Sequence, residues 1–238
     1  MNPPNTLRKF VAEAVGTSLL LAAVVGSGIM AEKLSAGNIS LALLENTIAT
    51  GAALVALILC FGPVSGAHFN PAVTIADATQ GGIRWGLVPV YVSAQCFGGV
   101  CGVWIAHLMF GQQFLQLSGH ARSGPAQLLS EFVATFGLLA VIWGTSRSRP
   151  TATPFAVGAY IASAYWFTAS TSFANPAVTL ARSFTNTFSG IRPTDTPGFI
   201  AAQLFGAFAA TALFRWLTPR LPETAGNVLV KTYASQKA

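Results

Sequence analysis

Asn70 and Asn175 each open the same five letters, Asn-Pro-Ala-Val-Thr, at residues 70–74 and again at 175–179. Asparagine is a favoured helix N-cap, and proline suits the first helical turn because its missing N–H has no partner there anyway. Asn70-Pro71-Ala72 and Asn175-Pro176-Ala177 therefore each read as a helix start. Each start carries roughly half a positive charge from its unpaired N–H groups. Two of them meeting at one depth, each with a side-chain amide, would donate hydrogen bonds to a passing oxygen and repel cations.

The rest of the chain sets that depth. Charged residues make up 8% of the 238 and the apolar set 53%, far from the ~25% charged of a soluble domain. About 20 apolar residues cross a bilayer core, and six stretches qualify: 11–30, 41–61, 88–109, 131–143 with its flanks, 154–171 and 198–217. Glu13 and the lack of a small-residue cleavage site predict a retained first helix, not a signal peptide. The motifs lie between spans, and the segments after them, 72–78 and 177–188, are too short to cross. Both fit re-entrant half-helices. Irregular backbone at membrane depth survives only where protein buries it or it lines a watery cavity. Residues 66–69, with Gly66, Ala67 and His68, and 170–174 are therefore expected to line a pore with their carbonyls.

The duplication extends beyond the pentapeptide. Glu13-Ala14-Val15-Gly16-Thr17 is echoed by Glu131-Phe132-Val133-Ala134-Thr135, and Ala94-Gln95-Cys96-Phe97-Gly98 by Ala202-Gln203-Leu204-Phe205-Gly206. The echoes divide the chain into a first repeat, 1–115, and a second, 116–238 with its terminal tail, within one integrated domain. Three spans per repeat is an odd number, so the second copy enters the membrane from the opposite face. Such an inverted repeat places a solute site near the midplane. The expected fold is an all-α membrane protein with six transmembrane helices and two re-entrant half-helices.

The net charge of +6 is explained by orientation. Nine of the thirteen basic residues (Arg8, Lys9, Arg84, Arg147, Arg149, Arg215, Arg220, Lys231 and Lys237) fall on the side of the termini, which the positive-inside rule makes cytoplasmic. Nucleic acid is not an expected partner. Cys60, Cys96 and Cys101 lack metal-site or disulfide spacing and read as buried thiols, and His107 as an interfacial residue. Gly98-x-x-x-Gly102 suggests close helix packing.

Six spans with Ser65-Gly66-Ala67-His68-Phe69-Asn70-Pro71-Ala72-Val73-Thr74 and a second Asn175-Pro176-Ala177 resemble the aquaporin, or major intrinsic protein, family, in a bacterial aquaglyceroporin-like form. The resemblance implies passive flow of water and small uncharged solutes, a homotetramer in the lipid bilayer, and no cofactor or metal. It places Glu13 and Glu131 inside the subunit, bonding the re-entrant loop backbone, with a proton-coupling carboxylate as the rival role, and His68 on the cytoplasmic approach; Gln95 and Gln203 read as hydrogen-bonding between helices rather than as solute contacts. Chain length fits a bacterial inner (plasma) membrane.

Selectivity is where the chain departs from that family. An arginine usually follows the second Asn-Pro-Ala, and here the position is Val178. The matching second-span residue is Thr50, the loop member Ser172, and the fifth-span member Ser163 or, with a two-residue shift, Ile161. A ring of these residues lacks a large aromatic and a fixed cation. It should be wide enough for glycerol, urea or neutral metalloid acids such as arsenite. Arg182, one turn beyond Val178, either lines the outer vestibule or snorkels to the surface. A water-selective channel and, further off, a secondary transporter or a closed scaffold are the rival readings. An enzyme is not expected, since no nucleophile–base pair, metal cluster or phosphate loop is present.

Overall fold

The computed structural model describes residues 4–218. Eight α-helices follow one another: α1 (Thr6–Leu34), α2 (Ile39–Ser65), α3 (Pro71–Thr79), α4 (Val88–Met109), α5 (Pro125–Ser148), α6 (Thr153–Phe167), α7 (Pro176–Arg182) and α8 (Thr196–Leu217). Asn5 caps α1 by accepting from the Arg8 N–H at 2.9 Å, and Asn38 caps α2 through Leu41 at 3.1 Å. Several of the later helices carry proline in their first turn, as the missing N–H there allows.

Among the described residues, five helices are long and apolar enough to cross a membrane. The sixth crossing, α6, has only 15 residues, or ~22 Å at 1.5 Å per residue. A 3₁₀ turn over Pro150–Ala152 leads into it and adds ~6 Å, bringing it near the ~30 Å core. α6 stops at Phe167, where Thr168 turns extended, so the last four residues of the expected span belong to the re-entrant loop. α7 also stops early: the Arg182 carbonyl accepts the Ile191 N–H at 3.2 Å, which doubles the chain back where a helix to residue 188 was expected.

The two halves are built alike. α1 packs on α4 and α5 on α8, and small residues make both approaches possible. A Cβ on Gly98 would sit 2.1 Å from the Ala14 carbonyl oxygen, one on Gly102 2.1 Å from that of Ser18, and one on Gly206 2.4 Å from that of Phe132. Gly98 and Gly206 are echo positions of the two repeats, as are Ala14 and Phe132. The same backbone contact is thus made twice, once in each direction through the membrane.

Large apolar side chains such as Leu19, Ile48, Phe97, Phe155 and Phe205 are exposed on the outer surface of the bundle, as expected where lipid is the solvent. Two expectations are corrected. Cys60 is exposed and Cys96 and Cys101 half-buried, all with free thiols, because they fall on helix faces turned away from the core. His107 is buried and not interfacial: Nδ1 donates to the Phe114 carbonyl at 3.0 Å, leaving Nε2 to accept from Thr185 Oγ1 at 2.8 Å. Arg220, Lys231, Lys237 and the terminal tail lie outside the described residues.

Candidate functional site, a pore between two half-helices

The half-helices α3 and α7 meet through their caps. Asn70 Oδ1 accepts from the Ala72 N–H at 2.9 Å, and Asn175 Oδ1 from those of Ala177 at 2.9 Å and Val178 at 3.2 Å. Each amide nitrogen then crosses to the other loop. Asn70 Nδ2 donates to the Ala174 carbonyl at 2.8 Å, and Asn175 Nδ2 to the Phe69 carbonyl at 2.7 Å. An amide nitrogen carries two hydrogens, so each asparagine keeps one N–H for the cavity it lines.

Behind each loop sits a buried carboxylate. Glu13 accepts from Ser65 Oγ (2.6 Å), the N–H groups of His68 (3.0 Å) and Phe69 (2.7 Å), and Gln95 Nε2 (2.8 Å). Glu131 accepts from the N–H groups of Phe173 and Ala174, both at 2.9 Å, and from Gln203 Nε2 at 2.6 Å. Gln95 and Gln203 reach on to Thr74 and Thr179 in the half-helices, at 3.0 and 2.8 Å. These four side chains are buried within the bundle and tie loop, half-helix and span together.

That arrangement turns the loop backbones. Ala67, Phe69, Ser172 and Ala174 hold positive φ of 48–50° and Thr171 of 61°, a left-handed region costly for non-glycine residues. With their N–H groups drawn to the carboxylates, the loops leave carbonyls on the other side. Those of Ala67, His68, Ser172 and Phe173 accept no hydrogen bond from any described residue, and all four residues line the cavity. Gly66 ends α2 with φ of 89° and is not among the lining residues.

The cavity reaches from His68 to Arg182. Opposite the loop carbonyls its wall is apolar: Leu20, Val24, Leu54, Ile58, Leu138 and Ile142 among others. Val178, Thr50 and Ser172 line it. So does Ile161, whereas Ser163 is exposed, its hydroxyl returned to the Tyr160 carbonyl at 2.7 Å. Of the two candidates, Ile161 falls on the inward face of α6 and Ser163 does not. Tyr165, one turn farther on that face, was missed: it lines the cavity with its hydroxyl 3.3 Å from Thr50 Oγ1. The expected ring residues include no large aromatic, but the cavity beside Thr50 does. Reading four residues on from Ile161 would have found it.

Arg182 faces the cavity and is 2% exposed. Its guanidinium carbon lies 3.4 Å from the Phe173 ring centroid, and its Nε donates to the Ser189 carbonyl. At the other end His68 holds Thr74 Oγ1 at 3.1 Å through Nδ1 and stands 3.6 Å from Asp77 Oδ2 through Nε2.

An inverted repeat whose two half-helices cap each other across a lined cavity defines a channel-forming, multi-pass membrane protein. The chain belongs to the Major intrinsic protein family, whose description it matches over residues 1–162 and again over 149–238. It is 60% identical over 210 residues to Aquaglyceroporin AqpS of Rhizobium meliloti (strain 1021), covering 88% of this chain and 90% of that one. It is 35% identical over 162 residues to Nodulin-26 of Glycine max, covering 63% of this chain and 55% of that one. The X-ray structure of the aquaglyceroporin from Plasmodium falciparum shares the fold, with a TM-score of 0.67 at 21% identity over 91% of this chain and 99% of that one.

Proposed function

We propose that the protein is a passive channel for water and small uncharged solutes such as glycerol, with urea and neutral metalloid acids within its range, and that it acts as a channel and not as an enzyme. The observation that carries this is the reciprocal capping of Asn70 and Asn175. Each asparagine presents one N–H to the cavity, while the carbonyls of Ala67, His68, Ser172 and Phe173 present acceptors. A hydroxyl needs both a donor and an acceptor partner, and it finds them in single file along one wall. The carbon backbone of a polyol faces the apolar wall opposite. A cation meets two helix starts and finds no carboxylate exposed to it among the lining residues.

Selectivity is assigned to Thr50, Ile161, Tyr165, Ser172 and Val178, with Arg182 as the cation of the outer vestibule. Val178 leaves room where an arginine would stand, and this supports passage of solutes larger than water. The Tyr165 hydroxyl beside Thr50 narrows the same level and favours the competing, water-selective reading. Glu13, Glu131, Gln95 and Gln203 are positioning residues for the loops. The repeats divide as 1–115 and 116–238, the assembly is a homotetramer, and the chain resides in a bacterial inner membrane with both termini cytoplasmic. His68 and Asp77 then lie at the cytoplasmic mouth and Arg182 at the outer one.

Purified protein in lipid vesicles tests the reading by stopped-flow light scattering. Glycerol entry well above that of bare lipid, without saturation and indifferent to any ion gradient, is expected. Entry that follows an ion gradient would point to a transporter, and water flow without glycerol to a water-selective channel.

A further inference from the structure

We infer that the outer mouth is a binding site for small monovalent oxyanions of the carboxylate type, held by the Arg182 guanidinium, so that such an anion competes with neutral solute for the pore. The inference rests on the channel reading and adds a ligand to it.

Arg182 is 2% exposed yet lines the cavity. Only its Nε has a hydrogen-bond partner among the described residues, the Ser189 carbonyl, and its flat face is covered by the Phe173 ring 3.4 Å away. Four N–H bonds on the two Nη atoms are left without protein acceptors. A buried guanidinium normally has a carboxylate beside it, and none of the described carboxylates lies within ion-pair distance of this one. The acids in the neighbourhood are already engaged. Asp195 takes the Arg122 N–H at 2.8 Å and Arg192 Nη2 at 3.0 Å, and Glu131 accepts its donors behind the loop.

The surroundings add to the positive potential. Arg122 approaches the same Phe173 ring, its guanidinium carbon 5.2 Å from the centroid, and is held by the carbonyls of Gly190 and Ser170. The Ser172 hydroxyl is buried without a partner among the described residues and belongs to the same lining. A planar carboxylate matches what is missing: two oxygens for the guanidinium fork and acceptor capacity left for the serine hydroxyl. Deeper entry is opposed by the apolar wall, which cannot solvate a charge, so the anion rests at the mouth.

The test is glycerol flux into vesicles holding the purified protein at pH 7.5, with sodium formate exchanged for sodium chloride at equal osmolality on both sides. Formate is expected to slow native flux about threefold or more at tens of millimolar, as a guanidinium–carboxylate pair of ordinary strength would. Arg182→Gln, compared with its own flux in chloride, is expected to lose that sensitivity. Formamide, the neutral isostere of formate, supplies a measurement on native protein alone that does not depend on the variant folding: formate should slow glycerol and formamide should not. Native flux indifferent to formate, equal slowing by formate and formamide, or equal formate sensitivity in Arg182→Gln would overturn the site. Vesicles that pass no glycerol even in chloride would contradict the channel reading itself, and the site with it.

Discussion

Asp77 and Arg182 stand at equivalent positions of the two repeats, each seven residues after its motif asparagine, and one is an acid where the other is a base. Their neighbours are equivalent as well. His68, 3.6 Å from Asp77, and Phe173, 3.4 Å from the Arg182 guanidinium carbon, each stand two residues before an asparagine. A pore whose backbone is nearly symmetric is therefore made unlike at its two ends by side chains, with His68 lining one end and Asp77 behind it, and Arg182 lining the other.

Removing the basic end should weaken cation exclusion. At ~10 Å and an effective dielectric of about 20, a unit charge opposes a cation by roughly 1.7 kcal/mol, about fifteenfold in occupancy. Arg182→Ala is expected to raise cation leak by up to that factor, read as dissipation of a potassium gradient in vesicles. Unchanged leak and unchanged solute permeability would mean that Arg182 has no role in the vestibule.

The carboxylates behind the loops are expected to matter for stability first. Glu131→Ala strands the N–H groups of Phe173 and Ala174 and the amide of Gln203, and each buried donor left unpaired costs ~1–3 kcal/mol. A loss of about 3 kcal/mol or more should appear as a clearly lowered melting temperature in detergent, together with lost flux. Glu131→Gln, which keeps acceptor capacity on one oxygen, should fall between.

Close helix packing gives a paired prediction. Gly98→Ala puts a methyl 2.1 Å from the Ala14 carbonyl oxygen, whereas Gly86→Ala meets nothing within 4 Å. The first should cost about 1–3 kcal/mol through overpacking and the second stay within about 0.5 kcal/mol. Melting curves of the two variants, measured side by side, check the contrast.

Tyr165 sets the width beside Thr50 in this account. Tyr165→Ala should admit polyols longer than glycerol, with erythritol entry rising several-fold over native in vesicle swelling. Tyr165→Phe removes only the hydroxyl contact with Thr50 and should change glycerol entry about fivefold or less, the scale of one neutral hydrogen bond of about 1 kcal/mol. Identical erythritol entry in all three proteins would remove Tyr165 from the selectivity ring.

Much of this architecture was legible because the repeat writes it twice. Asn70 and Asn175 announce helix starts by residue type, and Glu13, Glu131, Gln95 and Gln203 announce themselves as polar residues in apolar spans. Their parity alone implies the inverted fold. What was not legible was register and reach. Ser163 and Ile161 sit two residues apart, and a helix turns ~200° over that interval, so a small error in the loop length moved the ring residue to the lipid face. Tyr165 and Phe173 look like ordinary apolar filler, since nothing in their types says that they face a cavity. The early end of α7 depends on the Ile191 N–H reaching the Arg182 carbonyl, a tertiary contact absent from any local pattern.

Val178 carries the central claim that solutes larger than water pass because no arginine follows the second Asn-Pro-Ala. The most direct test compares water and glycerol permeability of the native protein and Val178→Arg in vesicles of the same lipid, by stopped-flow light scattering. The account predicts ready glycerol entry in the native protein and about tenfold or greater suppression in the variant with water flow retained, the scale of a lost fit in a narrow site. Glycerol excluded by both proteins, or passed equally by both, would contradict it.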